Sequence, residues 1–158
     1  MENHYVQVLI DTIHKKEAVL HQILEITKQQ EALSKRDTYA SDEMEEAMNE
    51  KEILIARLNY LDDGFESVYD RIRSELRNHM ENYRQEIGIL QDAIRRCTET
   101  GNEIQILEER NRNRFSMLFS NARSQYATSR TQANVAQNYH KMMNHSKIAD
   151  AYFVDHKQ

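Results

Sequence analysis

Residues 44–97 read MEEAMNEKEILIARLNYLDDGFESVYDRIRSELRNHMENYRQEIGILQDAIRRC, and the fold turns on this stretch. Met44, Met48, Leu54 or Ile55, Leu58, Leu61, Phe65, Val68, Ile72, Leu76, Met80, Tyr83, Ile87, Leu90, Ile94 and Cys97 recur at steps of three and four. Such steps return a side chain to one face of an α-helix, where about 3.6 residues make a turn. Only Lys51 interrupts the stripe. The extra steps of four from Phe65 to Met80 read as a stutter in a heptad pattern. Ser41 stands ahead of the stretch, with Asp42, Glu43, Glu45 and Glu46 behind it. A serine cap followed by acids suits the positive end of a helix. The spacing therefore predicts one helix over 41–98, roughly 80 Å long at about 1.5 Å per residue. Gly64 is the place for a kink. Phe65, Ile72 and Leu76, in mid-stripe, are expected in the core and not in contact with a partner.

On the N-terminal side, Val6, Leu9, Ile10, Ile13, Leu20, Ile23, Leu24 and Leu33 repeat the same steps, with Lys16, Thr27 and Gln30 at polar gaps. This predicts a first helix over 4–34, ended by the polar run from Ser34 to Thr38. On the C-terminal side, Thr98-Glu99-Thr100-Gly101-Asn102 combines a glycine stop with an asparagine start. A third helix is expected over 102–148, carrying Ile104, Leu107, Phe115, Leu118, Ala122 and Tyr126 before its stripe thins. Residues 149–158 are expected to form a loosely held tail. The 158 residues contain no proline and three glycines, so few tight turns are expected. Charged residues are 30% of the chain, as for helices with one apolar stripe and solvated remaining faces. The expected fold is all-α, an elongated antiparallel coiled-coil-like bundle of three long helices forming one domain over 1–158, with the first and third helices lying along the long second one.

The same composition narrows function. No run of about 18 apolar residues occurs, so no membrane insertion is expected. The N-terminus has no basic segment ahead of an apolar core, so it does not read as a signal peptide, and the expected location is cytoplasmic. Cys97 has no second cysteine to pair with. It continues the apolar stripe and is expected to be packed rather than reactive. No phosphate-cradling loop, nucleophile elbow or Cys-x-x-Cys motif is present. His14, Glu17 and His21 share a helical face, but a di-metal bundle needs Glu-x-x-His pairs on facing helices, and the chain has none. No cofactor, metal or catalytic role is therefore expected.

The uneven part is electrostatic. The chain carries a net charge of −5, yet no acidic residue lies between Glu109 and Asp150. Arg110, Arg112, Arg114, Arg123, Arg130, Lys141 and Lys147 stand there among polar residues and large apolar ones. Three readings fit. Nucleic acid binding is disfavoured by sparse cations on an acidic protein. Pairing with the acidic second helix is one alternative. A docking face for a partner helix is the other, with Phe115, Leu118, Phe119, Tyr126, Tyr139, Met142 and Met143 as contacts. The last two are compatible.

The residues also carry a likeness. Glu17-Ala18-Val19-Leu20, Asn49-Glu50-Lys51-Glu52-Ile53-Leu54 and Leu61-Asp62-Asp63-Gly64-Phe65-Glu66-Ser67-Val68-Tyr69 resemble the FlgN-like family of flagellar type III export chaperones. So do Ile104-Gln105-Ile106-Leu107-Glu108-Glu109-Arg110-Asn111 and Tyr152-Phe153-Val154-Asp155-His156-Lys157. The resemblance implies a cytosolic helical chaperone that binds terminal helices of hook-associated proteins at the hook–filament junction and prevents their premature assembly. It implies that the C-terminal part, here 110–149, engages the client, with the export apparatus as a further partner. The competing expectation is a structural coiled-coil adaptor without a chaperone role.

Overall fold

The computed structural model describes residues 2–36, 41–125 and 137, and these include no strand. Three helices account for almost all of them: α1 (Glu2–Ser34), α2 (Ser41–Asn78) and α3 (Arg84–Gln125). A short 3₁₀ turn, Met80–Tyr83, links α2 to α3. The helices run up, down and up. Lys16 meets Asp62 and Gln30 meets Lys51, so α1 and α2 are antiparallel. Glu17 meets Arg96 and Thr27 meets Glu108, so α1 and α3 are parallel. The expected all-α bundle of three long helices is the observed one.

The helix boundaries differ from the sequence reading. The helix expected over 41–98 is divided at His79, whose backbone leaves the helical region (φ −128°, ψ 44°). The His79 amide still donates to the Glu75 carbonyl at 3.0 Å, and the His79 carbonyl accepts from Asn82 at 3.0 Å. Polar Asn78 and His79 favour a helix weakly, and buried Tyr83 ties the reversal to the core. No proline or glycine marks it, and the three-and-four stepping continues straight through, which is why periodicity does not reveal the turn. Conversely, the break expected at 98–102 is absent. Gly101 is a buried residue inside α3. Cys97, Ile104, Glu108 and Asn111 on the same stripe are all buried, and that packing outweighs the roughly 1 kcal/mol a glycine costs a helix. Gly64 also sits within an unbroken helix, with a non-positive φ.

α1 packs against both other helices, whereas α2 and α3 meet through side chains rather than by close approach of their backbones. This explains the wide stripe of α1, where Val19 and Ile26 are buried besides the residues expected. Leu9, Ile13, Met44, Met48, Phe65, Ile72, Leu76 and Ile94 form the continuous core with Val19. Phe65, Ile72 and Leu76 are thus core residues, as expected.

Candidate functional site

The polar gaps in the stripes are buried and bonded across helices, although Gln30 Nε2, Glu108 Oε2 and Asn111 Oδ1 have no hydrogen-bond partner among the described residues. Lys51 is 0% exposed and Glu108 1%. The Lys51 ammonium is hydrogen-bonded to the Glu108 carboxylate and donates to Gln30 Oε1 at 2.7 Å. Thr27 Oγ1 lies 3.3 Å from Glu108 Oε1, and Asn111 Nδ2 donates to the Thr27 carbonyl at 3.1 Å. Five side chains from three helices thereby form one polar layer. Burial pulls the Lys51 ammonium below its ordinary pKa, against the opposing pull of Glu108. A buried network of this kind is costly unless complete, and its usual benefit is a fixed register.

A second pair lies lower in the bundle, where buried Lys16 places its Nζ 2.8 Å from Oδ1 of half-buried Asp62. Burial raises the Asp62 carboxyl, while Lys16 draws it back. Near the same charges, burial pushes the Cys97 thiol up to about 12. Glu17 takes Arg96 in two parallel bonds of 2.9 Å each, and this hydrogen bonding holds Glu17 below its ordinary range. His14 and His21 are exposed beside it. Among the described residues, no three His, Cys, Asp or Glu side chains gather as a metal site requires. No described helix is long and apolar enough to cross a membrane.

The residues expected to dock a partner divide into two groups. Phe115 and Phe119 are buried, 2% and 9% exposed, and stack on each other with ring centroids 6.1 Å apart. Their expected place on an open docking face is corrected: the α3 stripe stays committed to the bundle as far as Phe119. Leu118 is half-buried against the same core. Tyr126, Tyr139, Met142 and Met143 lie outside the described residues. Pairing of the acid-free segment with α2 is not what its described part shows. Arg110 approaches Glu31 of α1 at 3.8 Å.

One open apolar cleft stands out at the hairpin end, between α2 and α3. Its floor is Phe65, Leu76, Leu90 and Ile94, its flanks Tyr69 and Ile87, and its rim Arg73, Arg77, Met80 and Gln91, around a cavity of about 130 Å³. Phe65 and Tyr69 stack across 6.3 Å. Met80 is 58% exposed although it belongs to the apolar stripe. The cause is the turn: reversing the chain at His79 carries Met80 away from the core and leaves Ile87 half-covered. Periodicity assigns both to a buried face, so the cleft is invisible to it. The one sequence signal is the pair Arg73 and Arg77, two cations one turn apart beside the stripe.

The three helices are thus bridged by buried polar side chains, and apolar surface is left open at one end. Residues 1–146 match the family model described as FlgN protein. No curated protein and no solved structure matches the chain.

Proposed function

The chain belongs to the FlgN family, a family of flagellar export chaperones, and from that premise we propose that it holds hook-associated proteins in the cytoplasm before their export. It acts by binding and not by catalysis. The observation that carries this reading is the family match, which runs over 1–146 and so takes in α1, α2 and α3 entire. The physical role follows from the clients' chemistry. A protein exported unfolded keeps amphipathic segments without their assembled partners, and covering the apolar face of such a segment prevents self-association. The client contact is proposed on the C-terminal third, through Tyr126, Tyr139, Met142 and Met143 with Leu118 at its border. Phe115 and Phe119 support that part of α3 from within. The acid-free stretch favours a client segment bearing carboxylates.

The test is co-purification of the full-length chain with each hook-associated protein of its bacterium, together with secretion of those proteins when the gene is deleted. Retention of one client and its loss from the secreted fraction are expected. A chain that retains none, and whose deletion leaves secretion intact, would be an adaptor of another kind.

A further inference from the structure

The C-terminal contact leaves the cleft between α2 and α3 unused. It lies at the hairpin end of α3, about 40 Å from Leu118 at about 1.5 Å per residue. We propose that this cleft is a second client seat, taking one acidic amphipathic helix of the exported protein. That helix inserts a single leucine- or phenylalanine-sized side chain and sets carboxylates against Arg73 and Arg77. The inference rests on the chaperone reading and deepens it.

Volume sets the size of the anchor. The cavity of about 130 Å³ is slightly smaller than the engineered cavity of about 150 Å³ that holds benzene, so it admits one apolar side chain and not a whole helix face. Its floor of Phe65, Leu76, Leu90 and Ile94 is apolar, and the side chains around it are positioned by the core they also belong to. Little ordering is left for binding to impose. Helix-in-groove recognition works in this way, with one or a few apolar anchors and a polar rim.

The rim selects the charge. Arg73 and Arg77 are exposed, stand at i and i+4, and have no carboxylate partner among the described residues. Like charges at this spacing repel and cost a helix a few tenths of a kcal/mol. The facing wall offers only Gln91, and no acidic side chain lines the cleft. An incoming carboxylate relieves the repulsion of both guanidiniums and can be bound in fork geometry. The same rim disfavours the other occupants. The chain's own segment beyond Gln125 has no acid before Asp150 and brings Arg130, Lys141 and Lys147. A second copy docking with this cleft on the two-fold axis would set Arg73 and Arg77 against themselves.

Binding of the full-length chaperone to its purified hook-associated client, measured by calorimetry at low salt, tests the seat. Arg73→Glu with Arg77→Glu is expected to weaken binding at least tenfold, and Arg73→Gln with Arg77→Gln by less, with thermal midpoints unchanged because both residues are exposed. Added salt should weaken the parent more than the reversed variant. In parallel, p-benzoylphenylalanine in place of Met80 is photocrosslinked in the complex and the product mapped by mass spectrometry. A crosslink to an acidic amphipathic segment of the client supports the seat. A crosslink to residues 126–158 of the same chain, or to a second chaperone, overturns it. So does charge reversal that leaves affinity unaltered while the client still binds, and the chaperone reading then survives. A parent chain that binds no client overturns both.

Discussion

Lys51 interrupts the α2 stripe where an apolar side chain would be expected, and the structure supplies its reason in Glu108. Only the lysine half of this pair was legible: it showed as a gap, whereas Glu108 looked like one more surface acid of a charged helix. Lys16, Thr27 and Gln30 were gaps of the same kind, and each gained a buried partner or neighbour from another helix. A buried pair broken from one side leaves an uncompensated charge. Lys51→Met alone should therefore cost about 3–5 kcal/mol, while Lys51→Met with Glu108→Leu should restore most of it. Chemical denaturation of the single and double variants checks this, and additive losses would show that the two residues do not act as a pair. Cys97 is buried, with its thiol pushed up to about 12. Almost no thiolate is present at pH 8, so a thiol reagent should label the native protein far more slowly than the urea-unfolded one. Glu17 gives a pH signature. Its native pKa lies below the ordinary 4.5 because Arg96 bonds it, so its contribution is present above that value and is lost as pH falls through the lowered one. Glu17→Gln should cost at most about 1 kcal/mol at pH 7, the scale of an exposed pair. That difference should close in acid below 4.5, which melting curves at several pH values would follow.

At the scale of elements, the three-and-four stepping was a sound guide to helix and a poor guide to where a helix stops. It carried the reading through His79 because a reversal can keep the stepping, and Tyr83 and Leu90 return to the core in phase. Glycine misled in the opposite direction. Gly101 looked like a stop because glycine often follows a helix end, but its neighbours on the stripe are buried and the helix goes on. Gly64 shows the plain cost of the residue. It is exposed within α2, and a Cβ built there meets nothing within 4 Å. Gly64→Ala should raise stability by up to about 1 kcal/mol, because alanine loses less backbone freedom on folding and no neighbour must move. An unchanged or lowered denaturation midpoint would mean that the glycine serves a bend in another state. Leu76→Ala, in the same helix but 7% exposed, should cost about 2–5 kcal/mol. The contrast between the two variants measures how strictly α2 separates its buried and solvated faces.

At the scale of the molecule, the arrangement places α1 where it can serve both other helices and leaves α2 and α3 apart at the hairpin. Short connections made the antiparallel neighbours legible from the sequence, but the expectation that the first and third helices both lie along the second is corrected: α1 is the helix that packs against both others. That choice depends on α1 having apolar residues on more than one face, and Val19 and Ile26 had looked incidental. Among the described residues, the last buried one of α3 is Phe119, and the helix runs to Gln125. A chain ended after Gln125 keeps every described core residue and should melt close to the parent. A chain ended after Arg114 loses Phe115 and Phe119, whose truncation to alanine alone would cost about 3–5 kcal/mol each, and should melt far lower. Circular dichroism melts of the three chains establish the first half of the comparison. Client binding supplies the second: residues 1–125 should remain folded yet hold the hook-associated protein more weakly, because Tyr126, Tyr139, Met142 and Met143 are gone. If 1–125 melts well below the parent, the last third belongs to the core rather than to the client. If it folds and binds as tightly as the parent, the C-terminal contact is wrong and the cleft at the hairpin becomes the principal seat.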